Sequence, residues 1–484
     1  FVGIPTQLEE CLQKACNKVA KLVDQTSTDF DLSLLDHMNE IEESISLVWS
    51  PITHLNGVAD SDELRKLFPD CLAKVSKFYN ELGQNRKLFN CYLALQQHPK
   101  FEFLDTERAR VITNAIRDFR LAGVDLEGQA RDEFRALKAK LSALGNRFER
   151  NLLDATESWQ LDITDEQLLA GLPQSAIDLG RQTAQAADVD GWRFGLQMPS
   201  YLPIMRYADN RELRERMYRA HSIRASELQN DGEQDNTVII QEILQTRQTL
   251  AKLQNRPHFA DYALTTKMAK DADEVISFLA ELTAKAKPIA QQEKVDLTKF
   301  SNEIGGPEKL EAWDLAYYSE KLREQNFSFS VEEVKEYFVA DTVMEGLFEI
   351  VTRLFGIAAR AANPPNAWHY DVGFYELLDE NQKVIGAFYT DLYARQGKRG
   401  GAWMDDAQSR RKLSDGSIQP PAAFLTCNFA KSASFDVPTL SHDEVITLFH
   451  ELGHCLHHVL TQVDYLSASG IAGVEWDAVE LPSQ

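Results

Sequence analysis

Residues 441–459 read SHDEVITLFHELGHCLHHV, and after a polar, glycine-bearing connection the chain reaches Val479-Glu480-Leu481-Pro482-Ser483-Gln484. Within this stretch His450-Glu451-Leu452-Gly453-His454 is an H-E-x-x-H sequence, which on a helix sets two imidazoles one turn apart with a carboxylate beside them. The helix is signalled independently of that motif. Ser441 and Glu444 form an S-x-x-E capping box, which predicts a start at about His442. At about 100° per residue, Leu448, Leu452, Cys455 and Val459 gather opposite His450, with Val445 and Leu456 flanking them, so this face is expected in a core. His450 and His454 fall about 40° apart on the other face, and Glu451 projects about 100° from His450. Two imidazoles sharing the face opposite an apolar stripe suit metal ligation.

A catalytic zinc takes three protein ligands and keeps one position open. Beyond the helix the candidates for the third are Asp464, Glu475, Asp477 and Glu480. Glu480 is preferred, because residues 474–481 resume helical character after Gly470 and Gly473, and a second helix can then fold back on the first. Asp477, one turn earlier, either holds a ligand histidine in the right tautomer or is a solvated helix residue or N-terminal cap, the second reading being the stronger. His454 and His458 form an alternative pair with the same spacing, but it lacks the adjacent glutamate a base requires. His457 and His458 read better as polar wall residues.

Composition narrows the function classes. With 51 Lys+Arg against 74 Asp+Glu the formal charge is −23, which disfavours nucleic acid and anionic membrane surfaces as partners. The best apolar run, residues 347–362, is broken by Glu349, Arg353 and Arg360, so no membrane span is expected. Six cysteines are scattered through 484 residues without C-x-x-C pairs, which points to reduced thiols and a cytoplasmic location. Phe1 is not a natural start and no secretory signal is visible; an organelle matrix, after loss of a transit peptide, is the alternative location.

The length suggests two to four domains or one large composite. Residues 1–155 read as an N-terminal helical region, clearest from Asp132 to Thr156, where Phe134, Leu137, Leu141, Leu144, Phe148 and Leu152 make one stripe. Residues 156–205 read as a small β-containing connection, because residues 159–163 and 192–198 alternate apolar and polar positions until Pro199. Residues 206–484 form the third unit. In it Asp271 with Glu274 predicts a capping box, and residues 372–378 and 384–389 predict a hairpin about the turn 379–382. The basic loop 397–404 lacks phosphate-loop spacing and reads as a structural or substrate-flanking turn, and residues 423–429 as a strand.

FHELGHCLHHVLTQ with Glu480 in VELPSQ, together with residues 388–395, KRGGAWMDD at 398–406 and LTCNF at 425–429, closely resembles the thimet oligopeptidase family of zinc metallopeptidases. Looser likeness extends to residues 264–270 and the N-terminal helices. The resemblance implies a mainly α, two-lobed helical metallopeptidase with a deep substrate channel and small β-sheet elements near the active site. It implies one Zn2+, held by His450, His454 and Glu480, with Glu451 as the catalytic base, and a monomer acting on short unstructured peptides. The strand 423–429 would line the substrate. Family members continue beyond the point matching Gln484 with helices that complete the catalytic lobe and a loop that stabilises the oxyanion. The resemblance therefore implies an incomplete catalytic lobe, to be completed by a missing C-terminal segment. The rival reading is a catalytically incomplete fragment acting only as a zinc- or peptide-binding scaffold, and manganese or cobalt is the rival metal.

Overall fold

Residues 3–25, 30–229, 234–327, 331–431 and 438–484 are described by a computed structural model. The N-terminal stripes become α1 (Ile4–Gln25), α2 (Ser33–Val58), α3 (Asp62–Gly83), α4 (Arg86–Gln97), α5 (Thr106–Leu121) and α6 (Gly128–Ser158). Ser61, Asn85 and Asp105 start three of them by accepting an N–H of the first turn. Leu8, Leu34, Ile45, Leu88 and Ile112 are buried together in one core, and Tyr465, from the far end of the chain, is buried among them. The stripe of α6 packs less deeply than its pattern predicts: Phe134 and Leu144 are buried, but Leu152 is exposed.

Strands β1 (Gln160–Ile163) and β2 (Trp192–Gly195) pair antiparallel, with Leu161 opposite Phe194, and α7 (Gln174–Ala186) joins them. Gly180 lets α7 sit on this ribbon, since a Cβ there would fall 2.7 Å from the Phe194 ring. The second strand is shorter than its alternation predicts. Met198 opens α8 (Met198–Tyr207), and Pro199 stands in its first turn, where a missing N–H costs nothing.

Helices α9 (Arg211–Ser222), α10 (Thr237–Leu253), α11 (Phe259–Leu264), α12 (Ala272–Glu303), α13 (Ala312–Phe327), α14 (Val331–Lys335) and α15 (Ala340–Phe355) follow. At Asp271 half of the expected capping box forms. Asp271 accepts the Glu274 N–H at 2.8 Å, but Glu274 reaches the N–H of Lys270 at 2.7 Å, one residue upstream of the cap.

The C-terminal part is organised by a five-stranded sheet of β3 (Ala358–Ala361), β4 (Gly373–Leu378), β5 (Val384–Tyr393), β6 (Trp403–Gln408) and, after the small hairpin β7 (Arg411–Lys412) and β8 (Ile418–Gln419), β9 (Ala422–Phe429). The order is β3-β4-β5-β9-β6, with β5 and β9 parallel and the other pairs antiparallel. The expected hairpin is β4–β5, its turn held by Asp379, whose carboxylate accepts the N–H groups of Asn381 and Lys383 at 2.9 Å. The basic loop ends earlier than its sequence suggests, because Trp403 and Met404 already belong to β6. Helix α16 (His442–Val459) lies on the sheet and shares a core with β9 and α15. Gly386 allows this approach, since a Cβ there would fall 2.2 Å from a methyl of Val459.

Candidate active site

The capping box of α16 is complete: the Glu444 N–H donates to Ser441 Oγ at 3.2 Å and the Ser441 N–H to Glu444 Oε2 at 2.7 Å. The other Glu444 oxygen accepts the Ala430 N–H at 3.2 Å, which ties the helix start to the end of β9. Leu448, Leu452, Cys455 and Val459 are buried, as the stripe predicts. His450 and His454 face away from that core with ring centroids 5.0 Å apart and planes at 88°. Glu480 Oε2 lies 3.0 Å from Nε2 of each. Among the described residues these three are the group of His, Cys, Asp and Glu side chains that converges closely enough to hold a metal ion.

The other candidate carboxylates are engaged elsewhere. Asp464 accepts from Arg410 at 2.9 Å, and Glu475 pairs with Arg110 of α5. Asp477 bonds to neither His450 nor His454. Its two oxygens accept the N–H groups of Met268 at 2.9 Å and Ala269 at 3.0 Å, so it caps a distant turn. Burial opposes its ionisation, but those two donors outweigh it and hold the carboxyl below its ordinary value. His458 is fully buried with Nε2 3.0 Å from the Gln408 carbonyl, which removes the alternative pair with His454.

Glu480 reaches the histidines by a route the sequence does not suggest. The expected second helix over 474–481 is absent; the segment is a series of turns ending in a 3-10 turn at Leu481–Ser483. The segment is fastened from the side, by Glu475 on Arg110 and by Asp477 on the N–H groups of Met268 and Ala269, and the Tyr465–Gly473 stretch that leads into it is fastened as well. Tyr465 accepts from Arg108 Nε at 2.8 Å, the Leu466 N–H donates to Asn39 at 3.2 Å, and Arg110 donates to the Gly473 carbonyl at 3.4 Å. The third candidate ligand is thus positioned from the N-terminal helices. Gly453, the fourth residue of the motif, leaves the gap into which Pro482 and Ser483 pack.

Glu451 is 7% exposed, between the face that carries His450 and His454 and the core. Burial, and then the neighbouring Glu480 carboxylate, push its carboxyl up to about 7. Behind it burial raises the Cys427 and Cys455 thiols well above their ordinary value, so both are inert neutral groups. The strand expected to line the substrate does not do so by pairing with it. β9 lies between β5 and β6, both its edges are filled, and residues 423–427 are buried. Ala423, Leu425 and Cys427 instead share a core with Leu448, Leu452 and Cys455 of α16.

The chain is similar to known proteins over nearly its whole length. The profile described as Peptidase family M3 matches residues 204–484, and that of the Neurolysin/Thimet oligopeptidase, N-terminal domain matches residues 7–131. The chain is 41% identical over 486 residues to Oligopeptidase A of Escherichia coli (strain K12), covering 99% of this chain and 72% of that protein. It is 43% identical over 453 residues to Oligopeptidase A of Salmonella typhimurium, covering 93% and 67%. An organellar oligopeptidase A of Arabidopsis thaliana, chloroplastic and mitochondrial, is 36% identical over 465 residues, covering 93% and 58%. The solved structure assigned as oligoendopeptidase F from Bacillus anthracis superposes with a TM-score of 0.56 at 14% identity, covering 99% of this chain and 69% of that one, which supports the fold alone. No helix among the described residues is long and apolar enough to cross a membrane. A family profile that spans more than half of the residues, and relatives this similar over nearly all of them, establish that the chain belongs to peptidase family M3, the metallopeptidase family of the thimet oligopeptidases.

Proposed function

We propose that His450, His454 and Glu480 hold a zinc ion and that Glu451 is the general base for hydrolysis of short, unstructured peptides. The observation that carries this reading is the placement of one Glu480 oxygen 3.0 Å from both imidazole Nε2 atoms. Two nitrogens and one oxygen on one point are the donor set of a catalytic zinc site with an open fourth position. Cys455, the nearest thiol in sequence, is buried on the opposite face of α16, so it does not close the site in the manner of a structural zinc. A bound zinc ion supplies a Lewis acid that polarises the scissile carbonyl and brings the pKa of water near 7.

Glu451 takes the proton of the attacking water on a carboxylate oxygen and delivers it to the leaving amide nitrogen. It can do so because it adjoins His450 without converging on the ligand point, and because its half-dry environment favours both accepting and returning a proton. His450 and His454 are oriented by the buried stripe behind them, and Glu480 by Arg108, Arg110 and Asn39 through its loop. Glu451→Gln is expected to bind zinc as the parent does and to lose about 100-fold or more in kcat on a quenched fluorescent peptide. A variant that cleaves at the parental rate sinks the base assignment. Loss of zinc on His454→Ala, read by elemental analysis, tests the ligand set separately.

A further inference from the structure

Asp443, Thr447, His450 and His454 lie on one face of α16, because steps of four, three and four residues return each side chain to within about 60° of the others. The ligand face therefore continues toward the helix start. There a cavity of 300 Å³ opens between α16, α8 and the end of β9. Met198 and Leu202 of α8 and Phe429 of β9 give it apolar walls.

Its charged groups are unequally satisfied. Arg206 Nη2 is 2.9 Å from Asp443 Oδ2, and Glu444 spends its oxygens on the N–H groups of Ser441 and Ala430. Lys335, at the end of α14, also lines the cavity; it is 7% exposed and has no hydrogen-bond or ion-pair partner among the described residues. An ammonium with no partner of its own on the wall of a cavity is free to make a charge-assisted hydrogen bond to an anionic oxygen of a ligand. The partial positive charge at the start of α16 favours the same ligand.

We propose that this cavity is a substrate subsite in which Lys335 binds a carboxylate of the peptide while the apolar walls take the aliphatic part of the same residue. The inference rests on the peptidase reading above. Thr447 and Asp443 stand about 5 and 11 Å along the helix from His450, so with about 3.3 Å per extended residue the carboxylate lies two to four residues from the cleaved bond. A peptide's C-terminal carboxylate and an Asp or Glu side chain present the same oxygens. The geometry accepts either.

The test is a binding titration of the Glu451→Gln protein, which does not consume its ligand. Two peptide pairs are compared: free acid against C-terminal amide, and Glu against Gln two to four residues from the cleaved bond. In at least one pair the carboxylate member should bind about tenfold more tightly. Lys335→Met, which keeps the length of the stem, should abolish that ratio and leave the neutral member within about twofold; Lys335→Arg should restore part of it. The pair that responds says whether terminus or side chain is read. Equal binding within both pairs, or a ratio that survives Lys335→Met, overturns the subsite. Cleavage by the protein with Glu451 intact is measured beside it, and a binding ratio without cleavage keeps the subsite while removing the peptidase reading.

Discussion

Gly453 of α16 lies against the backbone of Ser483, so closely that a Cβ on Gly453 would fall 2.6 Å from Ser483 Cα and 3.0 Å from the Pro482 carbonyl oxygen. Two residues of the same stretch of backbone separate this contact from Glu480. The middle of the metal motif is therefore also the seat for the segment that carries the third candidate ligand.

Gly453→Ala separates helix propensity from this packing. In an exposed helix interior the change stabilises by about 1 kcal/mol. Here the methyl group meets backbone, which cannot swing aside as a side chain could, so the 481–483 turn must move and Glu480 with it. Zinc affinity, measured by competition with a chelator, is expected to fall about tenfold or more while the thermal midpoint of the metal-free protein changes little. Unchanged affinity would show that Glu480 does not depend on the contact.

His221 gives the stability of the middle region a defined pH dependence. Its ring stacks on Tyr201 with centroids 4.1 Å apart, its Nε2 is buried without a hydrogen-bond partner among the described residues, and Arg224 donates to its carbonyl at 2.8 Å. Burial, and then the Arg224 guanidinium, lower its pKa to about 4. The folded state therefore binds the proton less tightly than the unfolded chain, whose histidine titrates near 6.5. This contribution is fully present above about pH 6.5 and is lost progressively as the pH falls toward 4. His221→Phe keeps the stack and removes the titration. Urea unfolding at pH 7 and pH 4.5 should show a smaller loss for the variant than for the parent, and parallel losses would contradict the assignment.

The helical face of the site is legible in sequence because everything that makes it is local. Ser441 and Glu444 set where α16 starts, and spacings of three and four then decide which side carries Leu448 and which carries His450. The same holds for β4–β5, where turn and strands are contiguous. Glu480 is legible only as a carboxylate at a suitable distance. What brings it to the histidines is a set of contacts with Asn39, Arg108 and Arg110, more than three hundred residues away in sequence, and no periodicity records them. The residue types over 474–481 permit a helix; the lateral bonds of Glu475 to Arg110 and of Asp477 to Met268 and Ala269 win over that propensity. The central place of β9 is hidden for a similar reason, since β6 arrives on its far side from earlier in the chain.

Asp477 is the sharpest case of such a distant contact, and it yields the last prediction. Its carboxylate accepts two N–H groups, from Met268 and Ala269, at 2.9 and 3.0 Å, and so fastens the turn before α12 to the loop that ends in Glu480. Asp477→Ala leaves both donors to water and frees the loop on one side, while Arg110 still holds it on the other through Glu475. A cap of this kind contributes about 1 kcal/mol. Hydrogen exchange at Met268 and Ala269 should therefore speed up about fivefold, with a smaller rise in the amides of 478–481, and zinc affinity should fall by about the same factor. Asp477→Asn keeps one acceptor and should lie between the two. If the variants changed zinc affinity with no change in exchange at Met268 and Ala269, Asp477 would be acting on a ligand histidine after all, against the bonds it makes here.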